Sequence, residues 1–338
     1  MIVRKRWTSR SIAGAVAACA SLAAAFFYFS FVHGNTANAS PVPDLLSALP
    51  AGAPTLVYLD LAAVRASSFY QHRPDKGPLA VPNQEYADFV NSTGFNFEKD
   101  LDRVVVASWP ASGKEPRKNI VIADGRFDRA KIRDYAMRNG KLDHQQGRDV
   151  FLFQTGDRTG TNSISFLDDH RIAIVGGSSI APLFAAQSDD PAADPARERA
   201  ARLDGAAAFA ITRVPPMPDN FGQGGPQSAQ LASLARSVQW LTLAASPEGD
   251  DLRISLEGEC ENTADARQLQ AALELLRMFG RAGLDSPKTR ESMDPAVLAM
   301  LQTLLGNAEV TQAAEHVRIL VEITPDVWHL SGPAKPKQ

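Results

Sequence analysis

An uncharged run of 22 residues, Ser11 to Val32, is the feature that most limits what this chain can become. Arg4, Lys5, Arg6 and Arg10 precede it, and Ala37-Asn38-Ala39 behind it has the small-x-small form of a signal-peptidase site. A cationic end stays on the cytoplasmic side of a bilayer, so the rest of the chain is expected in the periplasm. A span needs roughly 17–25 apolar residues and a signal core about 7–15. Length therefore favours residues 1–39 as an uncleaved single-pass inner-membrane anchor, with release after Ala39 as the alternative.

Val16-Ala17-Ala18-Cys19 has the form of a bacterial lipobox, but Ala20 to Val32 is apolar where a lipoprotein begins with a polar linker. Cys19 is read as a small apolar residue within the span. Cys260 then has no partner in the exported part and reads as a buried small hydrophobe at a strand end. The set supplies no zinc site, and no metal or cofactor is expected. Taking the four basic leader residues from 35 Lys and Arg leaves 31, against 38 Asp and Glu, a net charge of -7. An acidic exterior without a basic block excludes nucleic acid as the expected partner. It gives equally little reason to expect anionic lipid head groups.

Roughly 300 residues beyond the leader suit two units, or one large one, at about 100–200 residues per domain. Alternation of apolar and polar residues predicts strands at Thr55–Leu61, Asp102–Trp109, Lys118–Ala123, Asp149–Gln154, Ser163–Leu167 and Arg171–Val175. Further strands are predicted at Ala206–Val214, Val238–Ala245, Leu252–Gly258, Glu309–Ala313 and His316–Thr324. Helical spacing predicts Asp44–Leu49, Asn83–Ser92, a helix from the Asp128 cap to Asn139, a short one from Gly176 to Gln187, Gln227–Ser237, Thr263–Arg281 and Pro295–Leu305. In Thr263–Arg281 the expected buried stripe is Leu269, Leu273, Leu276 and Phe279.

Both halves repeat the order strand, helix, two strands, helix, strands. The expected fold is α+β, antiparallel sheets with helices packed on one face, in two similar halves at 40–195 and 196–331 followed by a disordered tail at 332–338. Ser188 to Pro195 is either the linker between them or a surface loop within one continuous sheet. In the last strand Val317, Ile319, Val321 and Ile323 alternate with Arg318 and Glu322, so the face opposite the helices is expected to be polar.

Signatures of chemistry are scarce. The six histidines form no H-E-x-x-H or H-x-H pattern, and no Gly-x-Ser-x-Gly elbow occurs. Asp168-Asp169-His170 sets two carboxylates beside an imidazole, a weak candidate metal or acid–base site at a predicted hairpin tip, where Asp favours turns anyway. Gly176-Gly177-Ser178-Ser179 lacks the spacing of a phosphate loop. Asp124-Gly125-Arg126-Phe127-Asp128 reads as turn, staple and cap, with Arg126 paired to Asp124 or Asp128. No catalytic residue is assigned.

Four segments, Leu56 to Ser67 (LVYLDLAAVRAS), Glu85 to Val104 (EYADFVNSTGFNFEKDLDRV), Gly125 to Ile132 (GRFDRAKI) and Gln239 to Glu259, carry a resemblance. In them the chain resembles a group of uncharacterised, membrane-anchored extracytoplasmic bacterial proteins common in Acidobacteria. The resemblance implies that compartment and one architecture, and brings no activity, cofactor or catalytic residue. The expectation is a non-enzymatic envelope protein with an interaction or structural role and an envelope protein as partner. The alternative is a carrier or sensor holding a small or lipidic ligand between the halves.

Overall fold

The computed structural model describes residues 43–72, 84–111, 117–154, 161–184, 194–203, 205–215, 232 and 235–326. The leader at 1–39, most of the joint at 188–195, most of the predicted helix Gln227–Ser237 and the tail at 332–338 lie outside them. The first elements are α1 (Pro43–Ser47), β1 (Thr55–Asp60), α2 (Leu61–Ala66), α3 (Ser68–Gln71), α4 (Gln84–Thr93), α5 (Phe97–Asp100), β2 (Leu101–Trp109) and β3 (Lys118–Gly125). Next come α6 (Arg129–Asn139), β4 (Lys141–Gln145), β5 (Arg148–Gln154), β6 (Thr161–Phe166), β7 (Arg171–Gly176), a 3-10 turn (Ala181–Phe184) and α7 (Pro195–Ala201). The chain ends in β8 (Ala208–Arg213), β9 (Val238–Glu248), β10 (Asp251–Cys260), α8 (Thr263–Leu284), α9 (Pro287–Ser292), α10 (Pro295–Asn307), β11 (Glu309–Ala313) and β12 (His316–Ile323).

All twelve strands join one antiparallel sheet in the order β11-β12-β10-β9-β8-β1-β2-β3-β7-β6-β5-β4. The fold is α+β. Thr55–Leu59 of β1 pairs with Ala208–Thr212 of β8, so a strand from each half forms the middle of the sheet. The order is symmetric about that pair: β1, β2, β3 and β7 lead outward on one side, and β8, β9, β10 and β12 on the other. β5 and β4 extend the first half only.

Period-two alternation sorts the side chains onto two faces. On one, Leu56, Val105, Ala107, Ile120, Ile122, Ala173 and Val175 are fully or almost fully buried beneath Leu45 of α1, Leu49 just after it, and Ile180 and Leu183 around the 3-10 turn. Full burial of each large side chain contributes about 1.5–3 kcal/mol. The long helices α6, α8 and α10 lie on the opposite face. There Phe69 and Leu304 meet Leu252 and Ile323, and Ala266 and Leu269 meet Cys260 and Val317.

The face away from the long helices is therefore polar only toward the two edges of the sheet. Across β10 and β12 it carries Arg253, Glu257, Arg318 and Glu322, as the alternation in the last strand predicts. At the far edge, β4 carries Lys141, Asp143 and Gln145 in register with Leu152, Val150 and Arg148. Across β1, β2, β3 and β7 the same face is the main core, because α1 and the 3-10 turn close it.

Several elements escape the periodicity argument. β4 (KLDHQ) is an edge strand with no buried alternation. The short helices α2, α3, α5, α7 and α9 are set by Asp60, Ser67, Asn96, Asp194 and Ser286, each accepting a backbone N–H as a cap. Gly125 serves a close approach rather than a turn: a Cβ there would lie 2.4 Å from the Asp100 carbonyl oxygen.

Candidate functional site

At the inner end of the main core, one register row crosses four strands. Asp60 faces Arg103, Arg103 faces Asp124, and Asp124 faces Arg171. Arg103 donates to Asp124 Oδ2 at 2.7 Å, and Arg171 Nε donates to Asp124 Oδ1 at 2.7 Å. Asp60 Oδ1 accepts from Ala63 N at 2.7 Å, and its Oδ2 accepts from the Tyr58 hydroxyl at 3.3 Å. Burial raises the Asp60 carboxyl above its ordinary range despite those two donors. Burial and the neighbouring Asp60 also push the Tyr58 phenol upward. Side-chain hydrogen bonds join Arg103, Asp124 and Arg171 across three strands, with Asp60 facing Arg103 on the fourth, so the row is a structural network.

Arg126 pairs with neither Asp124 nor Asp128. Its guanidinium stands 3.6 Å from Asp100 and 3.3 Å from Asp102. Phe127 stacks on Phe95 at 5.3 Å, and Asp128 caps α6 by accepting from Lys131 N at 3.1 Å. Of the roles expected of this segment, the Asp128 cap is present, while Phe127 anchors the loop through Phe95 and Gly125 admits the Asp100 carbonyl.

Asp168, Asp169 and His170 do occupy a hairpin tip, between β6 and β7, where they point apart. Asp168 Oδ1 accepts from His170 N at 2.8 Å, which shapes the turn, while Asp169 pairs with Arg129 of α6. Among the described residues no group of three or more His, Cys, Asp and Glu is placed to hold a metal ion. Cys260 is a buried free thiol whose pKa burial pushes up. It packs on Ala266 and Val317, and the Ser237 side chain hydrogen-bonds it.

The least satisfied surface of the described chain lies on α8. Leu269 and Leu273 pack toward the sheet, but Leu276 is 49% exposed and Phe279 68%. The expected stripe thus holds for two residues and fails for two. From Arg277 onward the helix meets α10 and the residue that leads from it into β11: Gly280 lies against Leu305, and Arg277 Nη1 donates to Ala308 O. Leu275 and Met278 are also exposed, so four large apolar side chains at positions i, i+1, i+3 and i+4 form one stripe facing solvent.

A shallow groove of about 590 Å³ runs beside this stripe between Leu275, Met278 and Arg281. Its rim mixes signs. Glu274 and Arg277 pair at 2.9 Å and Arg281 adds a second positive charge; one turn beyond, Asp285 accepts from Gln302 at 2.9 Å and from Arg290 at 3.4 Å. Solitary exposed apolar residues are ordinary; a contiguous group with a polar rim marks a contact surface. Sequence reasoning placed Leu276 and Phe279 inside because helical spacing reports a stripe without saying where its covering sheet ends.

No protein-family model matches the chain, and comparison with curated proteins finds no match. Among solved structures, crystal form III of TP0453 is similar with a TM-score of 0.47 at 11% identity, covering 87% of this chain and 97% of that one. Crystal form IV of TP0453 gives 0.46 at 10% identity, covering 85% and 94%. This likeness says nothing about the site. Among the described residues no helix is long and apolar enough to cross a membrane, and Ser11 to Val32 lies outside them.

Proposed function

We propose that this chain is a non-enzymatic, envelope-tethered extracytoplasmic protein that docks a protein partner through the C-terminal half of α8. The observation that carries the reading is the solvent-facing stripe Leu275, Leu276, Met278 and Phe279. Apolar residues with an aromatic anchor and a mixed Glu/Arg rim match the anatomy of a protein interface, an apolar centre in a polar surround. A bilayer surface favours a uniformly basic rim, and here Glu274 stands beside Arg277 and Arg281, with Asp285 one turn beyond. The leader, Arg4 to Val32, supports the tether by its length and flanking charge. A carrier site between the halves has less support, since β1 and β8 meet there as directly hydrogen-bonded strands.

A photo-crosslinking side chain at position 278, in the native host, tests this. One discrete protein adduct is expected, absent from the Phe279→Ser variant and from a control probe at Arg138 on α6. Adducts to phospholipid alone, or the same products from both positions, would overturn the reading.

A further inference from the structure

A second concave site, independent of α8, lies on the far half of the sheet. The first turns of α6, the tight turn between β4 and β5, and the rings of Phe151 and Phe166 enclose a cleft of about 640 Å³. That volume lies within the range of small-ligand sites, about 300–1,000 Å³. Gln146 and Gly147 at the turn both take positive φ, and Gly147 leaves the cleft mouth open where a side chain would project.

Arg129, Arg133 and Arg148 line this space. Their charges are weakly committed. Arg129 lies over the Phe166 ring at 5.0 Å, and its acidic partner, Asp169, is on the exposed hairpin tip. Arg133 stands 3.8 Å from Asp149, which His144 approaches at 2.9 Å. Arg148 Nη1 donates to the carbonyls of Phe166 at 3.3 Å and Leu167 at 3.0 Å, which orient it without neutralising it.

Asp134 and Asp149 also line the cleft, leaving three cationic and two anionic groups. A bare inorganic anion gains little from so small an excess. A ligand that sets one carboxylate among the guanidinium groups and lays an apolar body against the Phe166 ring beside Arg129, above the buried Phe151, uses both halves of the lining. We propose that this cleft is a binding site for a small organic carboxylate with an aromatic or other flat apolar body.

Isothermal titration of the purified full-length protein with phenylpropionate, and with uncharged phenylpropanol of matching shape, tests the proposal. Phenylpropionate should bind and the alcohol should bind at least tenfold more weakly. Arg133→Gln should weaken the acid about tenfold, the size of a lost charge-assisted hydrogen bond. Asp169→Asn, which frees Arg129 from an exposed ion pair, should tighten it about twofold. Both variants change exposed side chains, so unchanged thermal unfolding separates a lost site from a lost fold. Equal affinity for acid and alcohol, indifference to Arg133→Gln, or no binding of phenylpropionate would overturn the assignment.

Discussion

Helices α6 and α8 occupy matching places: each follows the third strand counted outward from the centre, and each lies on the same face of the sheet. Their outer surfaces differ. α6 is 11 residues long, turns Ile132 and Ala136 inward, and shows solvent mainly Arg, Lys and Asp. α8 is twice as long, 22 residues or about 33 Å, and its last turns lie beside α10, where Leu275, Leu276, Met278 and Phe279 are exposed. The comparison teaches that one helical pattern can mean buried core along one stretch and solvent-facing surface along the next. It also separates two surfaces: a small charged cleft beside α6 and an apolar stripe on α8.

The largest expected effect concerns the buried row that anchors the α6 half. Asp124→Ala leaves the guanidinium groups of Arg103 and Arg171 without their shared carboxylate, and should cost about 3–5 kcal/mol in urea unfolding. A loss below about 1 kcal/mol would mean the row is effectively solvated.

A direct contrast of the two helices comes next. Ile132→Ala on α6 should cost about 2–4 kcal/mol, as for other buried large-to-small changes. Leu276→Ala on α8 should change stability by no more than about 0.5 kcal/mol. Equal losses in the same assay would erase the distinction between core and contact surface.

The smallest effect is a pH dependence at the opposite sheet edge. Burial alone would raise Glu257, but Arg318 and His316 outweigh it and hold the carboxyl below its ordinary range. A depressed folded value means this contribution is complete above the unfolded pKa and disappears as pH falls through the folded one. It should amount to about 1 kcal/mol or less, because Arg318 stands half in solvent. Glu257→Gln should flatten that part of the acid limb. Asp60 acts in the opposite sense: its raised value contributes stability at low pH that is lost as pH rises through the folded value. A variant with an unchanged acid limb would remove Glu257 from the account.

Much of the fold was legible because its signals are local. The alternation in His316–Ile323 and the Asp128 cap needed only neighbouring residues, and the strands and helices they announce are present. β4 was illegible for the same reason in reverse: an exposed edge strand buries no alternating face, so KLDHQ carries no periodic trace. At the Asp168-Asp169-His170 tip, sequence proximity suggested a shared site. Backbone direction at the tip instead sends Asp169 to Arg129 and holds Asp168 against its own turn.

By itself, the sequence determined the charged and apolar order of the leader, the acidic balance behind it, the α+β alternation and the Asp128 cap. Each depends on residues within a few positions of one another. Only the tertiary structure decided that Asp60, Arg103, Asp124 and Arg171 stand in one row and that three arginines from two elements share a cleft. It alone decided that Leu276 and Phe279, half of the expected α8 stripe, stand exposed. Register between distant strands and the limits of a sheet are set by long-range pairing, and helical or strand periodicity does not encode where a neighbour ends.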